Sequence, residues 1–196
     1  MFEVEPLGAT PLDPEEAADL LPTHVYTRAE LNAWEQQNIL AAAKWARRTR
    51  ADAIASEFIR GLHRRMFDET WAWAGQLRAS DKNIGVDWHT ISTETRNLVD
   101  DGRYWIQHET FSIDEAALRL HHRLVKIHPF PNGNGRHARL WCDTILLQHD
   151  RPVFSWRNRI LNESGKSRRA YIDALRAADH LDYRPLFALY LDGRAD

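Results

Sequence analysis

The densest chemistry in the chain lies in "KIHPFPNGNGRHARL", residues 126–140. His128, on the rim of the glycine turn, is a side chain that can exchange a proton near neutral pH. Gly133 and Gly135 tolerate backbone conformations that turn successive N–H groups toward one point. Such a nest at a helix N-terminus binds anions, phosphate above all. Arg136 and Arg139, three apart, leave one face of the helix that follows. Each can grip phosphate oxygens through a planar fork. The spacing describes a polyphosphate cradle with a base at its mouth. It is not a Walker loop, because no Lys-Ser/Thr follows the glycines, and it is not a dinucleotide fingerprint. A tight helix–helix turn, with Asn132 as turn former, is the plain structural alternative for these residues.

The elements that must hold this stretch read as helices. Asp13 and Pro14 open one at "LDPEEAADLL", and Thr27 with Glu30 forms a capping-box spacing before "LNAWEQQNILAAAKWARR". Ile54, Phe58, Ile59, Leu62 and Met66 mark another, and a further one starts near Ser92. Ser112 and Glu115 cap a helix whose stripe is Ala117, Leu120, Leu124 and Ile127. Pro129 ends it at His128. Helices are expected from Arg136 to about His149, near 166–179 and near 184–192. "LRASDKNIGVDWHTI" is the exception. Val86 and Trp88 alternate with polar residues after turn chemistry at Asp81 to Gly85, which predicts a short β-hairpin or a structured loop. The expectation is an all-α fold with a small β-hairpin flap.

The whole chain sets outer limits. Its 196 residues are 43% hydrophobic and carry eight tryptophans, enough for a substantial core. A formal charge of −2 with interspersed signs gives no electrostatic reason to expect binding to a nucleic-acid polymer or an anionic membrane. Cys142, the single cysteine, sits in an apolar helical pattern and reads as a core residue. The N-terminus lacks the basic start and apolar run of a signal peptide, and no segment reaches the ~20 apolar residues of a membrane span. A cytoplasmic setting is expected. His121 and His122 are adjacent on a helix, point in different directions and have no Cys or acid completing a ligand set with His128, so they read as surface or packing residues.

"HPFPNGNGRHAR" resembles the signature of Fic (Fic/Doc) proteins, H-x-F-x-[D/E]-G-N-G-R-x-x-R. It agrees at every fixed position except Asn132, which stands where the family has an acid. "WAWAGQLR" (71–78) followed by "DKNIG" resembles the segment leading into the Fic flap, and "RRAYIDALRAAD" (168–179) is similar to a late helix of these domains. The resemblance therefore covers most of the chain. With "TRAELNAWEQQNI" and its short N-terminal extension, the sequence most resembles the branch called mobile mystery protein B.

The resemblance implies a Fic-type helical bundle at residues 51–196, with 1–50 as an extension whose helices pack on it. It implies transfer of AMP from ATP to a Ser, Thr or Tyr hydroxyl of a target protein. His128 would be the base and Phe130 the loop anchor. Gly133, Asn134 and Gly135 would form the anion hole, and Arg136 and Arg139 would hold the phosphate tail, with Arg139 at the γ-phosphate. A flap at Asn83, Ile84, Gly85 and Val86 would align the target by strand addition. Mg²⁺ would accompany ATP, weakly held because Asn132 supplies no negative charge. Many Fic proteins carry an inhibitory helix, [S/T]-x-x-x-E-[G/N]. The nearest stretch here is "LNAWEQ", with Leu31 and Gln36 off pattern, and it predicts contact between Glu35 and Arg139. An exposed helical glutamate is the plain alternative. The branch also implies carriage on mobile elements beside a helix-turn-helix partner, as in a toxin–antitoxin-like module. Two other readings stay open: the same fold with another donor or a kinase-like reaction, and a weakly active nucleotide-binding regulator.

Overall fold

A computed structural model describes residues 10–156 and 166–191. Along these residues run α1 (Pro14–Ala18), α2 (Arg28–Ala46), α3 (Ser56–Phe67), a 3₁₀ turn (Trp88–Thr90), α4 (Ile91–Gln107), α5 (Ile113–Ile127), α6 (Asn134–Gln148), α7 (Lys166–Asp179) and α8 (Arg184–Tyr190). The helix starts follow local chemistry. Glu16 accepts the Asp13 N–H at 2.9 Å with Pro14 in the first position of α1. At α2, Thr27 Oγ1 accepts the Glu30 N–H while the Glu30 carboxylate accepts the Thr27 N–H. Ser112 caps α5 by accepting the Glu115 N–H at 3.3 Å.

The centre of the molecule is the α5–α6 pair. Leu118, Leu120 and Leu124 from α5 meet Ala138, Trp141, Cys142 and Ile145 from α6 in a fully buried core. α3 packs on α2 and α6, α4 on α5, and α7 with α8 closes the side of α5. Cys142 is a core residue whose thiol donates to the Ala117 carbonyl. His121 and His122 are also interior, bonded to Tyr171 and to Tyr183 and Asp179. No group of three or more His, Cys, Asp or Glu that could hold a metal occurs among the described residues. No helix there is long and apolar enough to cross a membrane.

The all-α expectation holds, but the β-hairpin flap does not appear among the described residues. They contain no strand, only an isolated antiparallel bridge between Leu20 and Trp71. The cause lies in Arg78, whose buried guanidinium takes the Ser80 and Val86 carbonyls that a ladder would have used. Asp81 caps the Trp88 N–H at 3.0 Å and Asp87 caps His89 at 2.9 Å, so the alternating segment turns into a 3₁₀ helix. Residues 79–87 are a loop closed by side chains.

Candidate active site

The loop between α5 and α6 is built around His128. Pro129 denies it helical geometry, and it leaves α5 in the left-handed region at φ 54° and ψ 60°. Its N–H still donates to the Leu124 carbonyl, and its own carbonyl accepts from Arg78 Nε at 2.8 Å. Nδ1 lies 3.3 Å from the Val125 carbonyl, which can only accept, so Nδ1 carries the ring proton. Nε2 is therefore the bare nitrogen, and it accepts from the Thr10 hydroxyl at 2.7 Å. Burial pushes the His128 imidazole down to a pKa of about 4, opposed by the Val125 carbonyl and helped by the Arg78 and Lys82 charges. At neutral pH it is a neutral acceptor facing a hydroxyl.

Behind the loop sits a second histidine. Phe130 is fully buried and stacks on His63, ring centroids 3.7 Å apart. His63 Nδ1 accepts the Gly75 N–H at 3.0 Å, so Nε2 donates to the Asn132 carbonyl at 3.1 Å. Burial holds His63 well below the ordinary imidazole range, and the His137 and Arg136 charges add to the effect. Asn134 turns its side chain inward, accepting the Phe130 N–H and donating to the Phe130 carbonyl. Its contribution toward an anion is thus its backbone N–H. Gly133 adopts φ 78°, and a Cβ there would come within 2.5 Å of the Phe67 ring. α6 starts at Asn134, two residues earlier than the sequence suggests, with Gly133 as its N-cap. Its first N–H groups, at Asn134, Gly135 and Arg136, have no i−4 carbonyl within the helix.

The arginines diverge. Arg136 pairs with Glu35 and lies over the Phe67 ring at 5.0 Å. Glu35 is only 5% exposed, and its other oxygen accepts from Trp71 Nε1 at 2.8 Å. This corrects two expectations at once: Glu35 is not an exposed helical acid, and its partner is Arg136 rather than Arg139. Arg139 lies instead against Tyr171, 6.0 Å from the ring centroid. Arg168 from α7 joins the cluster, its guanidinium pKa lowered by burial and by the Arg139 and Arg136 charges.

The flap segment touches the site through its backbone. The Arg78 N–H donates to the Pro129 carbonyl at 3.0 Å, and Val86 N–H reaches the Ile127 carbonyl at 3.4 Å. Gly85, at φ 111°, approaches so closely that a Cβ would lie 2.8 Å from the His128 Cβ. Ile84 points outward, 41% exposed. Val86 has both backbone groups committed to Ile127 and Arg78, which leaves strand addition at this position without a free donor or acceptor pair.

Asn132 has its own partners. Oδ1 accepts the Gly133 N–H at 2.6 Å, and Nδ2 donates to the Thr10 carbonyl at 3.0 Å. The donor set here does not fit a resident Mg²⁺. The position offers one neutral oxygen already accepting a hydrogen bond, and its amide faces away toward another carbonyl.

Four contributors escaped sequence reasoning: Thr10, His63, Arg78 and Arg168. Only Arg78 and Arg168 fall inside stretches whose resemblance was noted. Thr10 and His63 act through contacts 118 and 69 residues away in the chain, for which a single sequence carries no signal.

The model of the Fic/DOC family matches residues 53–146. The chain carries a Fic/DOC family domain. It is 32% identical over 109 residues to the protein adenylyltransferase fic-1 of Caenorhabditis elegans, covering 52% of this chain and 21% of that protein. It is 33% identical over 136 residues to the protein adenylyltransferase Fic of Drosophila virilis, covering 67% and 26%. The chain thus spans about a fifth to a quarter of the length of these curated relatives. Its fold is similar to the N-terminal Fic domain of the Bartonella effector protein Bep from Bartonella sp. AR 15-3, with TM-score 0.69, 16% identity and 92% of each chain covered. It is also similar to BepC from Bartonella tribocorum with bound AMPPNP, with TM-score 0.66, 17% identity, and 90% and 96% covered. The described Fic domain is therefore all-helical, with the HPFPNGNGRHAR stretch at the α5–α6 junction.

Proposed function

We propose that the protein is an adenylyltransferase of the Fic type, moving AMP from ATP to a Ser, Thr or Tyr hydroxyl of a protein. One observation carries the reading: the bare Nε2 of a neutral His128 faces a threonine hydroxyl at 2.7 Å, beside the N-terminus of α6. In this reading the acceptor hydroxyl is hydrogen-bonded to Nε2, loses its proton there and attacks the α-phosphorus while pyrophosphate departs. The N–H groups of Asn134 and Gly135 receive the charge that develops on the phosphate oxygens, and Arg136, once released from Glu35, holds the tail together with Arg139, with Arg168 beside them. A pKa of about 4 makes the free ring a weak base. Triphosphate charge nearby favours the imidazolium and raises that value during the reaction.

Glu35 serves here as a restraint, since it occupies Arg136, a group the phosphate tail needs. ATP must displace a carboxylate held in place by Trp71. Mg²⁺ enters this scheme with the nucleotide as part of the substrate, with Asn132 at most a weak ligand. Exposed Ile84 and its neighbour Asn83 flank the mouth and suit target docking by side-chain contact, with Gly85 letting the loop pack close on His128. The mobile mystery protein B branch, residues 1–50 as a regulatory extension on a Fic domain of 51–196, a cytoplasmic setting and a helix-turn-helix partner in a toxin–antitoxin-like module complete the proposal.

The commitment of Asn132 to Gly133 and Thr10 favours a second reading, a nucleotide-binding regulator with little turnover. Incubation with α-labelled or γ-labelled ATP, divalent metal and lysate separates the cases. Label from the α-phosphate that requires His128 supports adenylyl transfer, and γ-label supports a kinase-like reaction. Label seen only after Asn132→Asp supports the regulator.

A further inference from the structure

We propose that Thr10 is the protein's own acceptor: the hydroxyl that its N-terminal segment presents to His128 receives the nucleotidyl group in cis. The proposal deepens the adenylyltransferase reading and rests on it. Thr10 is separated from His128 by 118 residues, yet its hydroxyl is 2.7 Å from Nε2, the nitrogen left bare by the Val125 contact. Both residues are buried, at 6% and 5% exposure, so this is a packed contact inside the site. A hydroxyl donating to a neutral imidazole has the relation an acceptor needs for proton removal.

The backbone of Thr10 is also held. Its carbonyl accepts from Asn132 Nδ2 at 3.0 Å. An aspartate at 132 has no donor for that carbonyl and would repel it. The residue that departs from the family pattern is therefore the residue that grips the segment. Downstream, Lys82 reaches Asp13 and Glu16 at 2.6 Å each, and Ser80 donates to Asp13 at 3.0 Å. These contacts tie the residues after Thr10 to the flap loop, and that loop packs on His128 through Gly85. Thr10 is thus positioned through its own carbonyl and through the residues that follow it.

The chemistry balances without a further reactant. Thr10 Oγ1 attacks the α-phosphorus of ATP, and the Oγ1–P bond forms as the bond to the α,β-bridging oxygen breaks. Pyrophosphate leaves, and the hydroxyl proton passes to His128 Nε2 and then to water. The product is a phosphodiester joining Thr10 to AMP.

The test uses the full chain, as wild type and as Glu35→Gly, incubated with α-labelled ATP and Mg²⁺. Protein concentration is varied, a parallel arm contains lysate, and labelled peptides are mapped. The expected result is label on Thr10 that is lost in Thr10→Val and His128→Ala and retained in Thr10→Ser. Its rate constant does not change with protein concentration. Asn132→Asp lowers the Thr10 share of total label about tenfold, as one hydrogen bond gives way to repulsion. Label on lysate proteins or elsewhere in the chain, with none on Thr10, overturns the proposal and leaves adenylyl transfer standing. A rate constant that rises with protein concentration overturns the cis presentation. Absence of label from every protein in both backgrounds overturns the proposal and the adenylyltransferase reading together.

Discussion

Acidification should destabilise this protein through its buried histidines. His63, His121, His128 and His137 are all interior, and burial lowers each of them below the ordinary imidazole value, to about 4 for His128 and about 3 for His121 and His137. Between those values and about 6.5 the unfolded chain binds protons that the folded chain refuses, so stability falls as pH falls. At about pH 5.5, one unit below the ordinary value, each of His121, His128 and His137 forfeits about 1.4 kcal/mol, or roughly 4 kcal/mol together, and His63 acts in the same direction. Asp143 works in the opposite direction. Burial raises it to about 7, against the Trp156 N–H that donates to it at 2.7 Å. Its folded form keeps a proton that the unfolded chain loses above about 4, which returns roughly 2 kcal/mol at pH 5.5 relative to pH 7.5. The net loss between those two conditions is roughly 2 kcal/mol, worth about 4–8 °C in Tm for a chain of this length. Denaturant and thermal melts at both pH values measure it. A midpoint that stays constant or rises on acidification refutes the reasoning.

Three further perturbations follow from the geometry. Glu35→Gly releases Arg136 and deprives Trp71 of its acceptor, so Tm should fall while ATP affinity rises about tenfold, and calorimetric titration showing an unchanged Kd would count against the restraint. Gly133→Ala places a methyl 2.5 Å from Phe67 at φ 78° and should cost about 2–5 kcal/mol in denaturant melts. Adding Phe67→Leu should recover only the steric part. Arg78→Met strands the carbonyls of Ser80, Val86 and His128, so hydrogen exchange across 79–87 should rise at least tenfold, and Arg78→Lys should not restore protection because one ammonium cannot reproduce the planar fork.

Much of the framework was legible because it depends on neighbours in the chain. Thr27–Glu30 and Ser112–Glu115 announce their helices through bonds spanning three residues. Pro129 ends α5 by steric conflict with the residue before it. Where the reading failed, the deciding partner was distant. Helical spacing puts Arg136 and Arg139 near one face of α6, but which of them Glu35 reaches is decided by the packing of α2 about 100 residues away. The alternation around Val86 and Trp88 suggested a ladder, and Arg78 instead absorbed the carbonyls that pairing requires. Asn132 read as a defect in a metal site; its amide turned out to face the carbonyl of Thr10.

The central claim is that His128 takes a proton from a protein hydroxyl as AMP is transferred. The most direct measurement is intact-protein and peptide mass spectrometry of Glu35→Gly after incubation with ATP, Mg²⁺ and lysate, beside the same variant carrying His128→Ala. The account predicts adducts of one AMP on hydroxyl residues in the first sample and none in the second. Equal adducts in both samples, or adducts of phosphate instead of AMP, would contradict it.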